Sequence, residues 1–242
     1  MRTISSSYGT LRVGTLDETF RAMVDLLREA VAAKSAPITV GLSGGSTPKA
    51  FYQWAVREHA LPDTLSKNCL WLTSDERCVP LASDDSNFGN ADRLMLVPLG
   101  IPAAAKIPWP VELPPAACAA AFTKTWNARF GAQTGFDVCF LGMGDDGHTA
   151  SLFPDCPLIG SGLQDNFAAI EWPSRGWRLT ITEAGLARCA RVIVLANGAA
   201  KATVLKAILH GPYDPKKLPS QIHRNYASRV TWLVDEAAAA GL

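Results

Sequence analysis

Apolar residues recur along this chain in two rhythms. Between Thr15 and Lys34, the residues Leu16, Phe20, Met23, Leu27 and Val31 recur every three or four positions, the period of one helix face. Elsewhere they form short, nearly unbroken runs: 37–42, 70–73, 136–141, 178–182, 191–196 and 230–234. Runs of that length bounded by Gly, Pro and polar residues predict buried strands. Helices are predicted at 50–59, 87–96, 116–130 and 201–210, with an Ala-rich helical end. Thr47 is the expected N-cap of the second helix, with Pro48 at its first position. Six prolines between 98 and 115 predict an irregular connection.

Strands that alternate with helices, and are apolar throughout, predict a mainly parallel sheet covered by helices on both faces. No linker or internal repeat divides the chain, so residues 1–242 are expected to form one α/β domain. In such sheets ligands bind beyond the carboxyl ends of the strands. The polar, Gly-rich segments 43–48, 74–77, 142–148 and 197–201 each follow a strand, and are expected to converge on one site.

Charge narrows the choice of partner. The 23 Lys and Arg nearly balance 22 Asp and Glu, giving a net charge of +1. That gives no general attraction to nucleic acid or anionic membrane, so neither is an expected partner and any anion site must be local. A hydrophobic content of 48% excludes disorder. The six cysteines form no Cys-x-x-Cys pair and sit mostly in apolar runs, where they act as small core residues. Met1 to Gly14 holds a Ser cluster and no signal-like apolar stretch, and no run reaches the roughly 18 residues of a membrane span. A reducing, cytoplasmic setting is expected. The oligomeric state stays open, a monomer included.

The chemistry lies in the loops. In Ser43-Gly44-Gly45-Ser46-Thr47-Pro48 the glycines let backbone approach a ligand, and the helix start offers free N–H groups and a positive dipole end. This suits a phosphate better than a plain strand-to-helix turn, although Gly-Lys-Ser/Thr of a P-loop is absent. Gly41-x-Ser43-x-Gly45 also has the letters of a serine-hydrolase elbow, with Ser43 as nucleophile, but Pro48 delays the helix. Gly142-x-Gly144-x-x-Gly147 has the letters of a dinucleotide fingerprint. Asp145 and Asp146 inside that turn would repel a pyrophosphate, and the match is read as accidental.

His148 directly follows this loop beside two carboxylates. Histidine's ordinary pKa of about 6.5 suits a general base at neutral pH. Hydrogen bonding among Asp145, Asp146 and His148 is preferred to metal ligation, so no metal is expected. Asp146 is expected to orient the imidazole. Arg77, beside Asp75 and Glu76 at a strand end, is a candidate for a lactone or phosphate oxygen. Lys201 at a helix start adds positive charge, and Arg175 or Arg178 is expected to join it.

These segments resemble the 6-phosphogluconolactonase family. The similarity rests on 42–48, Ser74-Asp75-Glu76-Arg77, Ser86-Asn87, Lys201-Ala202 and 232–238, and most specifically on Gly142-Met143-Gly144-Asp145-Asp146-Gly147-His148-Thr149-Ala150-Ser151-Leu152-Phe153-Pro154. It implies a single-domain, mainly parallel Rossmann-like sheet. It also implies hydrolysis of a phosphosugar lactone without a cofactor, in the oxidative pentose phosphate pathway. The resemblance puts the general base at His148 and the phosphate contacts at Ser43, Gly44, Gly45, Ser46 and Lys201; position along the chain adds Asp146 and Arg77 as its catalytic aids and Asp75 and Arg175 as further substrate-binding residues. A sister family, the glucosamine-6-phosphate deaminases, carries Glu five residues after the matching His, where this chain has Phe153. That substitution favours the lactonase over the deaminase. Binding of a sugar phosphate without catalysis is a third alternative, and serine hydrolysis a fourth. The stretch from Gln221 to Arg229 matches the family loosely, leaving open which of Arg175, Arg178, Arg224 and Arg229 meets substrate.

Overall fold

A computed structural model describes residues 1–242. Its strands are β1 (Arg2–Ser6), β2 (Gly9–Gly14), β3 (Ile38–Leu42), β4 (Cys69–Thr73), β5 (Asp75–Arg77), β6 (Val138–Gly142), β7 (Phe167–Trp172), β8 (Gly176–Ile181), β9 (Val192–Ala196) and β10 (Val230–Asp235). The α-helices are α1 (Leu16–Ala32), α2 (Ser46–Arg57), α3 (Asp63–Ser66), α4 (Asn87–Ala91), α5 (Pro115–Phe130), α6 (Glu183–Arg188) and α7 (Ala202–His210). Seven strands form the central sheet in the order β1-β2-β10-β9-β6-β3-β4, parallel except for the β1–β2 hairpin.

Alternation along each strand assigns the two faces. Val138 and Phe140 of β6, Ile193 and Leu195 of β9 and Leu233 of β10 enter one core with α1 and α2. Cys139, Leu141, Val192, Val194, Trp232 and Val234 enter the other with α5 and α7. Both faces are buried, which is why these strands read as continuous apolar runs. The expected parallel sheet covered on both sides is therefore the observed one. No helix is long and apolar enough to cross a membrane.

The first helix starts where its chemistry dictates. Thr15 Oγ1 accepts from the Glu18 amide at 3.2 Å, while the Glu18 carboxylate accepts from the Thr15 amide at 2.7 Å, a reciprocal capping box. The second helix departs from expectation: it starts at Ser46, and Gly45 rather than Thr47 is its N-cap, with no side chain bonded to the open amides. The segment 87–96 is α4 followed by a π-turn over 92–96. The Ala-rich end forms turns, not a helix, after β10.

The sequence did not reveal β1, β2, α6 or the second sheet. That sheet, β5-β8-β7, is antiparallel and rests on α5. Trp109 stacks on Phe122 at 3.9 Å, and Phe167 of β7 packs edge-on against both. Segments 75–77 and 178–182, expected as a loop and as a strand of the main sheet, pair with each other here. This places two arginines, Arg77 and Arg178, in register across the pair.

One buried group predicts an acid limit to stability. His223 is fully enclosed; its Nδ1 meets the Tyr226 hydroxyl at 2.8 Å and its Nε2 has no partner. Burial pushes its pKa down to about 3. The unfolded chain takes up that proton near pH 6.5 and the folded chain does not until near pH 3. Stability from this group is thus complete above about pH 6.5 and declines as pH falls, by at most about 1.4 kcal/mol per pH unit. Urea unfolding of parent and His223→Gln between pH 7 and 4.5 measures it. The parent is expected to lose stability more steeply, and equal slopes would contradict the assignment.

Candidate active site

The four segments expected to converge do so. They line a cavity of about 290 Å³ at the carboxyl ends of β3, β4, β6 and β9, with the tip of the β7–β8 hairpin forming a further wall. Ser43, Gly44, Gly45, Ser46, Asp75, Arg77, His148, Arg175, Arg178 and Lys201 all reach it. Arg224 and Arg229 do not: Arg224 lies over the rings of Tyr8 and Tyr213, and Arg229 donates to the Cys189 carbonyl. Of those four arginines, Arg175 and Arg178 are the two that line the cavity.

One end of the cavity is built for an anion. The uncapped N-terminus of α2 presents its first amides, and its dipole adds partial positive charge. The loop before it sits so close to Asn87 that a Cβ on Gly44 would fall 1.8 Å from Asn87 Oδ1. Only glycine fits there. Lys201, at the start of α7, reaches the same cavity and pairs with Asp145. The elbow reading of Ser43 does not survive the geometry. Its Oγ makes only a 3.5 Å contact with the Gly44 carbonyl, with no histidine to activate it.

At the end of β6 the chain turns back on itself rather than entering a helix, so no dinucleotide site follows. The Gly144 amide donates to the His148 carbonyl at 2.9 Å, and Ser220 closes the loop by donating from its amide to the Gly147 carbonyl. The His148 amide bonds Asp146 Oδ1, and His148 Nδ1 lies 2.5 Å from the same oxygen. Partial burial alone would raise the Asp146 carboxyl. Hydrogen bonds from His148, with the charges of His148 and Arg175, overcome this and hold it at about 2. An ionised carboxylate only accepts, so Nδ1 is the nitrogen that donates to Asp146, and in the neutral imidazole the free lone pair falls on Nε2. That is the tautomer of a general base.

The approach of Gly144 is as tight as that of Gly44. A Cβ there would stand 1.9 Å from His148 Nδ1 and 2.6 Å from Asp146 Oδ1. Gly144→Ala must push the imidazole aside. Turnover is expected to fall about 10²-fold, the scale of an ångström misplacement at a reacting centre. Steady-state kinetics beside a melting curve checks this; full turnover would contradict the placement.

A third wall carries buried charge. Asp75 is 6% exposed and accepts from Ser151 Oγ at 2.8 Å. Burial raises its pKa, and Ser151, Arg77, His148 and Arg178 only partly offset this. The strand β5 draws Asp75 and Glu76 into the second sheet. Burial, with repulsion from Arg77 and Arg175, in turn lowers Arg178. Arg77 is anchored by donating to the Asp85 carbonyl at 2.6 Å. Three guanidinium groups held near one another, with few carboxylates to match, make a wall suited to anionic oxygen.

Sequence reasoning missed the supports. Glu76 is buried completely and accepts from the amides of Arg77, Asn87 and Phe88 at 2.7–2.8 Å and from Ser86 Oγ at 3.1 Å. Asn87 in turn donates to the Asp75 carbonyl at 2.9 Å and lines the cavity. The pairs Asp75-Glu76 and Ser86-Asn87 were visible, but no local pattern joins residues eleven apart through one carboxylate.

Residues 14–232 match the family described as glucosamine-6-phosphate isomerases/6-phosphogluconolactonase. A 6-phosphogluconolactonase from Synechocystis is 34% identical over 209 residues, 84% of each chain. The human GDH/6PGL endoplasmic bifunctional protein is 34% identical over 210 residues, and this chain spans about a quarter of its length (26%). Among solved structures, the 6-phosphogluconolactonase from Trypanosoma cruzi superposes with a TM-score of 0.81 at 27% identity, covering 96% of both chains. Family match, sequence identity and superposition thus agree, and the chain belongs to the glucosamine-6-phosphate isomerase/6-phosphogluconolactonase family.

Proposed function

We propose that this chain hydrolyses 6-phospho-D-glucono-1,5-lactone to 6-phospho-D-gluconate, the second step of the oxidative pentose phosphate pathway. The observation that carries this reading is the Asp146–His148 pair, fixed in its basic tautomer, in one cavity with an uncapped helix N-terminus and Lys201.

The substrate's phosphate is held by the amides and hydroxyls of the 43–46 loop, by Lys201 and by Arg175. That grip is remote from the chemistry, and its binding energy fixes the ring carbonyl beside the attacking water. His148 Nε2 takes a proton from this water as its oxygen bonds to the carbonyl carbon. The electron pair of the C=O moves to oxygen, and Arg77 stabilises the resulting oxyanion, with amides of the 142–147 loop adjoining. Collapse re-forms the carbonyl and breaks the bond to the ring oxygen, which receives the proton from His148. Asp146 holds the imidazole in place and stabilises its charged form. Asp75 takes part as a buried substrate-binding group on the arginine wall. Water, lactone and these side chains balance the reaction, so no cofactor enters it.

Phe153, 4.4 Å from the His148 ring, supports hydrolysis over deamination, because an apolar ring stands where the deaminase motif has a carboxylate. The proposal treats 1–242 as one lactonase domain. It places that domain in the cytoplasm, a setting that six unpaired cysteines suit.

Two substrates and one side reaction test it. Turnover of the phosphorylated lactone is expected to exceed that of unphosphorylated glucono-1,5-lactone by about 10² or more in kcat/KM, the share of remote anion binding. Glucosamine 6-phosphate should release no ammonia. Equal turnover of the two lactones, or rapid ammonia release, would overturn the reading.

A further inference from the structure

Phe153 is 7% exposed, yet it belongs to neither hydrophobic core. Its neighbours are side chains of the site. The His148 ring lies 4.4 Å away by centroid, tilted by 43°. The Arg175 guanidinium carbon sits 4.2 Å from the ring centroid. Trp172, also on the β7–β8 hairpin, meets the ring edge-on at 5.2 Å and 82°. The same two groups converge a second time on one carboxylate: His148 on Asp146 Oδ1 at 2.5 Å, and Arg175 on Asp146 Oδ2 at 3.4 Å. The four side chains form a closed ring of contacts.

The ion pair alone does not explain this order. Arg175 is nearly half exposed and its contact with Asp146 is long, so in water the pair is worth little. A guanidinium over an aromatic face at 4.2 Å adds attraction, and the planar group keeps its hydrogen-bonding edge free for an anion while it stacks. The backbone invests strain to deliver the ring: Ala150, three residues earlier, is held at φ 48°. We propose that Phe153 is a positioning residue that seats the His148 imidazole and the Arg175 guanidinium against the two oxygens of Asp146. One aromatic ring thereby ties the anion grip on the hairpin to the proton acceptor on the 142–148 loop.

The inference rests on the lactonase reading, and two sets of measurements keep their failures apart. The first is kinetic. Phe153→Leu keeps an apolar side chain but removes the aromatic face. We expect kcat to fall about 10- to 100-fold, the scale of a displaced catalytic group, and KM to rise about fivefold as Arg175 loses its platform. Phe153→Tyr restores the face and should stay within about twofold of the parent in both. The second is independent of turnover. The Nδ1 proton that His148 donates to Asp146, assigned by loss of its signal in His148→Ala, reports the seat of the imidazole: its exchange with water should speed up in the Leu variant and hold in the Tyr variant. Should Leu not fold, Phe153→Met replaces it with a longer, more flexible apolar chain of similar volume. A folded Leu or Met variant with parental kcat and KM overturns the proposal, as do equal losses in the apolar and Tyr variants or unchanged exchange of the Nδ1 proton. A parent enzyme that does not hydrolyse the lactone, while the Nδ1 proton responds as stated, overturns the lactonase reading and leaves the positioning intact.

Discussion

His148→Ala is expected to lose about 10²–10⁴-fold in kcat with little change in KM, the range of one positioned acid–base group. The variant removes the only group in the cavity that is held by an ionised carboxylate in a basic tautomer. It leaves the anion grip intact, because the 43–46 loop and Lys201 sit on other elements. It also costs little stability. The His148 side chain is 27% exposed and stands at the cavity wall rather than in a core. A melting temperature within a few degrees of the parent is expected, since about 1 kcal/mol corresponds to roughly 2–4 °C in a chain of this size. A folded variant with near-parental kcat would remove His148 from the mechanism.

The second large effect concerns stability rather than chemistry. Glu76→Ala is expected to cost about 3–6 kcal/mol of unfolding free energy. Its carboxylate accepts from three backbone amides and one hydroxyl inside the protein. Alanine leaves the enclosed N–H groups of Asn87 and Phe88 without partners, at about 1–3 kcal/mol each, and the part-buried N–H of Arg77 adds a smaller loss. This is a large share of the 5–15 kcal/mol typical of a folded domain. Two of those amides open α4, where Ser86 Oγ already accepts from Gly89, so the helix start loses its anion as well as its bonds. The loss reaches the site, because Asn87 braces both the Asp75 carbonyl and the Gly44 turn. Urea unfolding should show the drop, and the surviving folded fraction should bind substrate more weakly. A change below about 1 kcal/mol would contradict the role given to this carboxylate.

These two residues differ in how far the sequence exposes them. His148 stands beside two carboxylates in a Gly-rich loop after an apolar run, and each part of that signal is local. The same holds for Ser43–Ser46 and Lys201. Buried parallel strands read as unbroken apolar runs, so the loops at their carboxyl ends could be located and their convergence inferred. Glu76 acts on residues eleven and twelve positions away, through a turn that no periodicity marks. The β7–β8 hairpin was hidden for another reason. In β7 only Phe167 and Ile170 are buried, a spacing of three that suits a helix face and not a strand, and the strand rests on α5 rather than in the main sheet. Its tip nevertheless delivers Arg175 to the cavity. The first hairpin escaped because β1 is an exposed edge strand of polar residues. Phe153 was legible only as a substitution. Its contacts with His148, Arg175 and Trp172 needed three dimensions.

The most direct test of the account is the hydrolysis rate of 6-phospho-D-glucono-1,5-lactone itself. The lactone is generated in place from glucose 6-phosphate, and its disappearance is followed against the spontaneous rate in parent and His148→Ala proteins. The account predicts fast, saturable hydrolysis by the parent and a loss of about 10²-fold or more in the variant. Hydrolysis no faster than in buffer, by folded parent protein, would contradict it.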